Sequence, residues 1–354
     1  MKLLAFTKYT RIGPSSRLRF YQFIRYFESV GITVQIQPLF ESGYIRRLFS
    51  TGKRSIPFLL RGYLKRSRKL ARTGWADLIW IEKELFPWIP GVEKLILSKV
   101  NRPYVVDVDD AVFHLYDQHP KPFLRTVLED KIGDVMRRAS VVTVGNDYLA
   151  QYAKRSGADR VEILPTVVDM VRYTMRPKLD QPFTIGWIGT PVTQKYLETI
   201  RRPLAFLCGA AGPQIMLVGA TADALCGLNP QIVQWTELSE VRSIHGFDVG
   251  MMPLQESPFE KGKCGYKLIQ CMACGVPVVA SPVGVNTTIV DHGENGFLAK
   301  NETEWLRYLT ILRDDKQLRE KMGLNARKKI LRKYSLSETG PRFCEILIQA
   351  ARDY

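Results

Sequence analysis

Short apolar runs alternate along this chain with segments of helical spacing, and that alternation constrains the fold more than any other feature. The first half offers strand-length runs at 3–6, 32–36, 77–81, 104–108, 141–144 and 161–164. Between the first two, Phe20, Phe23, Ile24 and Phe27 follow a helical period, with Gly31 as a stop. The second half repeats the pattern at 183–188, 215–218, 232–235, 248–252, 276–280 and 297–299, and a helical tail follows from Glu302. Apolar strands separated by helices make parallel, doubly wound α/β sheets. Pro165, Pro177 and Pro182 bracket an aperiodic stretch between the two series. The expected architecture is α/β, with two Rossmann-like doubly wound domains facing a central cleft. Expected boundaries are 1–170, a linker at 171–182, 183–334, and a last helix at 335–354 that packs back on the first domain.

The length of 354 residues fits two domains. Charge is uneven: residues 1–180 hold 31 Lys/Arg against 18 Asp/Glu, and residues 181–354 hold 20 against 17. The first half is therefore expected to meet something anionic. Six cysteines without a paired framework fit a reducing compartment. No apolar run approaches the roughly 20 residues that cross a bilayer. A cytoplasmic protein, peripheral on the inner face of a membrane, is the expectation.

The richest segment runs from 248 to 284. A buried strand ends in a polar loop, and a helix is expected from about Gly265 to Cys274. Free N–H groups at a helix start, joined by Lys263 and Lys267, suit a diphosphate. If that helix reaches back to Lys263, then Lys263, Lys267, Gln270 and Cys274 share one face. A solvated basic helix start is the plain alternative. Cys271 and Cys274 spell Cys-x-x-Cys inside the helix and read as packed thiols.

The runs MACGVPVVA (272–280) and DHGENGFLA (291–299) resemble the donor-binding segment of retaining glycosyltransferases of the GT-B fold, in glycosyltransferase family 4, "group 1". The likeness is detailed over 183–334. It implies transfer of a sugar from a nucleotide-diphosphate sugar to an acceptor hydroxyl with retention, and no metal or other cofactor. The family usually carries two glutamates eight positions apart. Here they fall at Gly262 and Gln270. The resemblance implies that Gln270 meets the ribose, that Gly265 lies beside the diphosphate, and that sugar contacts pass to Lys263, Glu260 or Glu256. In IGWIGTPVTQKY (185–196), Gly189 and Lys195 match the family, while Thr190 stands where an arginine is usual. Arg17, Arg19 and Lys263 are candidates to replace it. Trp235 stands where relatives hold the base.

In the first half, TRIGPSSRLR (10–19) resembles the family's glycine-rich loop, with Gly13 in the turn and Ser16 as an expected N-cap. Arg17 and Arg19 near a positive helix end suggest a bound anion. VVDVDDAVF (105–113) puts three aspartates at a strand end, costly unless used or solvated. Asp107 and Asp109 form an Asp-x-Asp, a metal-holding pattern of the unrelated GT-A fold. By position in GT-B relatives, Asp109 and Asp110 are the expected catalytic residues at the acceptor, one of them orienting or deprotonating its hydroxyl with a pKa raised by burial.

Between residues 42 and 76 stand ten cations (Arg46, Arg47, Lys53, Arg54, Arg61, Lys65, Arg66, Arg68, Lys69, Arg72) and no acid. Ile56, Phe58, Leu59, Leu60, Tyr63 and Leu64 are interleaved. Such a segment suits an anionic membrane surface or a glycan or lipid-linked acceptor, with Arg61, Lys65, Arg66 and Lys69 as contacts. No nucleic-acid-binding signature accompanies it, so nucleic acid is the weaker partner. The competing function is a non-catalytic relative that binds nucleotide sugar or glycan.

Overall fold

The computed structural model describes residues 1–44, 47, 55–177, 181–208 and 212–353. Arg46, Lys53 and Arg54 of the basic stretch, residues 178–180 of the expected linker, and Tyr354 lie outside the described residues.

The chain divides into two compact units. The first comprises Met1–Thr166, Gly262–Cys264 and Thr339–Tyr354. Its sheet holds β1 (Lys2–Tyr9), β2 (Thr33–Phe40), β3 (Leu78–Glu82), β4 (Tyr104–Val108), β5 (Val141–Val144) and β6 (Val161–Ile163). The order is β2-β1-β3-β4-β5-β6, every pair parallel. The central strands β3, β4 and β5 are buried along their whole length. Both their faces are covered, which is why they read as continuous apolar runs instead of alternating ones. On one face, Trp80 stacks on Phe20 with ring centroids 3.9 Å apart and takes Phe343 edge-on at 5.1 Å. Phe343 belongs to the last helix, Leu336–Arg352.

The second unit comprises Val167–Lys261 and Gly265–Glu338. Its strands are β7 (Thr184–Ile188), β8 (Gln214–Val218), β9 (Gln231–Val233), β10 (Val249–Met252), β11 (Val278–Ala280) and β12 (Gly296–Leu298). Their order is β12-β11-β10-β7-β8-β9, again all parallel. Tyr173 and Arg176, from the stretch expected as a linker, are held in this unit. Tyr173 is buried, and the Arg176 N–H donates to the Cys274 carbonyl at 2.8 Å.

Each sheet reverses its strand order once, between β1 and β3 in the first unit and between β7 and β10 in the second. Loops at the carboxyl ends of strands beside such a switch point are where open parallel sheets bind ligands. The sequence places TRIGPSSRLR after β1 and Gly189-Thr190 after β7. Two Rossmann-like units with these sheets make the GT-B fold. No helix among the described residues is long and apolar enough to cross a membrane.

Candidate functional site

The switch point of the second unit gathers most of its expected donor residues. Gly189 follows β7, and a Cβ there would meet the Trp187 ring at 2.4 Å and Lys267 Nζ at 2.9 Å. Lys267 Nζ lies 4.3 Å above the Trp187 ring and donates to Thr193 Oγ1 at 3.1 Å. Thr193 Oγ1 in turn accepts the Thr190 N–H at 3.2 Å. The cation, the Gly189 turn and Thr190 thus form one assembly at the strand ends. Trp235 is close by: a Cβ on Gly219 would meet Gly189 O at 2.4 Å and Trp235 Cβ at 3.2 Å. Lys195 is exposed, with its ammonium 5.1 Å from the ring of Tyr196.

The helix carrying Lys267 spans Tyr266–Ala273 and is entered through Gly265 in the left-handed region, at φ 65°. That backbone ends the helix on its N-terminal side, so the helix starts about where expected and does not reach back to put Lys263 on a face with Lys267 and Gln270. Gln270 and Lys267, three residues apart, do share one. Gln270 is buried, and its Nε2 donates to the Tyr173 hydroxyl at 2.9 Å. Glu260, expected as a sugar contact, is buried and accepts hydrogen bonds from Tyr196 and Ser257. Glu256 is exposed and pairs with Lys261 at 3.2 Å. Cys271 and Cys274 are buried, and burial pushes both thiols up, Cys271 to about 12.

The switch point of the first unit is a charged cluster. Arg19 grips Asp107 with two hydrogen bonds, at 2.8 and 2.7 Å, and donates to the Leu164 carbonyl at 2.8 Å. Thr143 Oγ1 adds a bond to Asp107 at 2.6 Å. Arg19 therefore has an internal anion, which removes it as a candidate for the missing family arginine. Arg17 is buried. Ser16 is not the N-cap: the helix starts at Pro14 with Gly13 as cap, and the Ser16 hydroxyl donates to Glu82 at 2.6 Å.

Asp109 pairs with Lys83 Nζ at 2.6 Å, and Lys83 also donates to Ser15 Oγ at 3.1 Å. Burial alone would raise the Asp109 pKa, but Lys83, with Arg19 and Ser15, outweighs it and the carboxyl stays below its ordinary value. Asp109 is therefore not the carboxyl with the upward shift expected of one of the pair. Asp110 has that shift: burial raises it while Lys263, at 3.9 Å, opposes it. Asp110 is about a third exposed and so remains reachable. Two neighbouring carboxyls pushed in opposite directions are a common arrangement for dividing charge stabilisation from proton handling. The sequence reading missed Lys83. Its only signal was a charged Glu-Lys-Glu at the end of a buried strand. It sits at φ 61°, unusual for a side-chain-bearing residue.

Gly262–Cys264 belongs to this first unit. A Cβ on Gly262 would lie 2.5 Å from Ala111 Cβ and 2.7 Å from its backbone nitrogen. No glutamate fits there without moving the chain. Asn146 Nδ2 donates to the carbonyls of Gly262 and Lys263 at 3.1 and 3.0 Å, and the Cys264 thiol donates to the Asp109 carbonyl at 3.0 Å. These contacts hold Lys263 beside Asp110.

The helix Ile56–Leu70 carries Arg61, Lys65, Arg66, Arg68 and Lys69 of the basic stretch. Arg66 is fully buried, donating to Gln37 Oε1 at 3.0 Å and to the carbonyls of Leu85, Thr7 and Gln37. It is a structural cation and cannot touch a membrane or acceptor, contrary to the expectation. Lys65 pairs with Glu41 at 2.7 Å, and Lys69 reaches Gln35 at 2.8 Å. Arg61, Lys65 and Arg68 are exposed, as are Ile56, Leu60 and Leu64 at four-residue spacing.

Residues 183–315 match the family model described as "Glycosyl transferases group 1". The chain is 27% identical over 243 residues to the D-inositol 3-phosphate glycosyltransferase of Stackebrandtia nassauensis, covering 58% of this chain and 53% of that protein. It is 29% identical over 96 residues to the N-acetyl-alpha-D-glucosaminyl L-malate synthase of Bacillus anthracis, covering 27% of this chain and 25% of that one. The chain thus spans about half or less of the length of these curated relatives. Among solved structures, sucrose-phosphate synthase from Thermosynechococcus elongatus superposes with a TM-score of 0.74 over 100% of both chains, at 14% identity. Anabaena Alr3699/HepE, solved in complex with UDP, gives 0.74 over 99% of this chain and 100% of that one, at 16% identity. These likenesses show the fold. The family match falls on the unit that carries Gly189, Lys267 and Gln270.

Proposed function

We propose that this protein is a glycosyltransferase that moves a sugar from a nucleotide-diphosphate sugar to an acceptor hydroxyl. The observation that carries the reading is Lys267, held against Trp187 and Thr193 at the Gly189 turn within the region that matches the group 1 family. A fixed ammonium beside a glycine turn and a helix start stabilises a departing diphosphate. HepE, which shares the fold, has been solved with UDP-glucose, in line with a donor of this class. Asp110 is assigned to the acceptor hydroxyl and Asp109 to fixed negative charge, with Lys83 as the residue that positions it. Retention and independence of metal are carried over from the family resemblance. Asp107 and Asp109 are engaged by Arg19 and Lys83, which favours the metal-free reading.

A glycan or lipid-linked acceptor is assigned because Ile56, Leu60 and Leu64 stand exposed beside Arg61, Lys65 and Arg68 on one helix. Such a surface suits peripheral contact with anionic lipid, each nearby cation contributing about 1 kcal/mol. The second reading is a nucleotide-sugar-binding protein without turnover. It is favoured by Thr190 and Gly262, where the family's arginine and glutamate are absent. Thermal shift with nucleoside diphosphates and nucleotide sugars tests the donor site. Saturating ligand at about 100 times its Kd should add roughly 2.7 kcal/mol. Donor turnover and donor hydrolysis then separate enzyme from binder. A chain that no nucleotide stabilises would sink both readings.

A further inference from the structure

Behind the helix Tyr266–Ala273, one buried carboxylate organises a chain of hydrogen bonds that ends at Gln270. Glu240 is fully buried. Its Oε1 takes the Tyr173 hydroxyl at 2.6 Å and Arg172 Nη2 at 2.6 Å, and its Oε2 takes Trp235 Nε1 at 2.9 Å. An ionised carboxylate only accepts, and a phenol has one hydrogen to give. The Tyr173 hydrogen therefore goes to Glu240. The remaining contacts of the Tyr173 oxygen, Gln270 Nε2 at 2.9 Å and the Tyr266 hydroxyl at 2.8 Å, must both donate to it. Burial, then Tyr266 and Glu240, raise the Tyr173 pKa well above its ordinary value, so the phenol keeps its hydrogen.

The consequence reaches the amide. Its nitrogen is committed to Tyr173, so its carbonyl oxygen is turned the other way. No hydrogen bond to Gln270 Oε1 is made among the described residues. Gln270 shares a helix face with Lys267, whose ammonium reaches the Gly189–Thr193 turn. We propose that Glu240, acting through Tyr173, is a positioning residue that locks the Gln270 amide with its carbonyl oxygen presented to the ribose hydroxyls of the donor nucleotide. This rests on the reading above that the helix holds a nucleoside diphosphate.

The arrangement explains why glutamine suits position 270. A carboxylate there would face a tyrosine oxygen whose hydrogen is already given to Glu240. It would also add a second negative charge to the same buried network, where low dielectric makes repulsion costly. Glutamate at 240 and glutamine at 270 are a matched pair.

The test titrates the full chain with UDP, GDP and ADP and with the 2′-deoxy form of each. Wild type should prefer the ribo form of its nucleotide by about five- to ten-fold, the order expected for one hydrogen bond to a neutral group. In Glu240→Gln the tyrosine hydrogen can turn to Gln270 and the amide can flip. The ribo/deoxy ratio should then fall to about one, with 2′-deoxy affinity changed by no more than about two-fold. Tyr173→Phe, which deletes a single oxygen, should do the same and serves if Glu240→Gln does not fold. Gln270→Glu should lose the preference, and Glu240→Gln/Gln270→Glu should recover it, because Tyr173 can then donate to the new carboxylate. A purely structural role would lower both affinities together. A wild-type ratio in folded Glu240→Gln or Tyr173→Phe would overturn the relay and leave the donor site standing. Failure of wild type to bind any nucleotide would overturn the donor reading, and the relay's ligand with it.

Discussion

Lys83 Nζ lies 2.6 Å from Asp109 Oδ1, both side chains almost wholly buried at the carboxyl end of the first sheet. The pair fixes the charge of one carboxyl while its neighbour Asp110 is pushed towards the neutral form. Lys83→Met should therefore leave Asp109 buried without a partner. Its carboxyl then rises above its ordinary value instead of falling below it. A depressed carboxyl stabilises the fold above its unfolded pKa, and that contribution is lost as pH falls through the folded value. The variant should lose about 3–5 kcal/mol at neutral pH, the usual cost of breaking a buried pair, and regain part of it as the medium is acidified. Urea unfolding at pH 7 and pH 5 measures both, and an equal loss at the two pH values would contradict the assignment.

Lys267→Ala should weaken nucleoside-diphosphate binding by about 1.5–3 kcal/mol, the range for a charge-assisted contact. Lys195→Ala should cost less, because that side chain is exposed. Calorimetric titration of the two variants ranks them, and unchanged affinity in Lys267→Ala would remove it from the site.

Gly262→Glu restores the residue usual in the family and should still fail to improve transfer. The new Cβ meets Ala111 at 2.5 Å, and overpacking of this kind costs about 1–3 kcal/mol. A lowered Tm with no gain in donor turnover is the expected pair of results. A stable, faster variant would show that the loop can move aside.

The exposed cations of the helix Ile56–Leu70 separate from the buried one. Reversing Arg61, Lys65 and Arg68 to glutamate should abolish co-sedimentation with anionic vesicles and leave nucleotide affinity unchanged. Wild-type binding should weaken with salt, since exposed charges are screened within about 8 Å at physiological ionic strength. Arg66→Ala should instead destabilise the first unit by several kcal/mol, roughly 3–5, by stripping buried acceptors of their donor. A wild-type protein indifferent to anionic lipid at low salt would end the peripheral-membrane assignment.

Glu93 supplies a pH signature. Burial raises its pKa from 4.5 to about 7, although Lys131 at 2.8 Å opposes the shift. Between those values the folded state holds a proton that the unfolded state has released, so this group makes stability fall as pH rises from about 4.5 to 7. Relative to Glu93→Gln, wild type should be more stable at pH 5 than at pH 8. Chemical denaturation of both proteins at the two pH values checks the sign.

The sequence by itself determined the strands of both described sheets and their parallel, doubly wound arrangement. Buried parallel strands must be continuously apolar, and the helices between them must be long enough to cross over, so both leave a local record. It also marked Gly189, Lys267 and Gln270 as candidates, because each lies in a motif that is contiguous in the chain. What it left undecided was which charge answers which. Arg19 reads like an anion site until Asp107, 88 residues away, is seen to fill it. Arg66 reads like its basic neighbours until Gln37 and the Leu85 carbonyl enclose it. Lys83 meets Asp109, and Tyr173 links Glu240 to Gln270, only after segments distant in the chain are brought together. Ion pairs and hydrogen bonds act over a few ångströms in space and carry no periodicity along the chain, so only the tertiary structure could assign them.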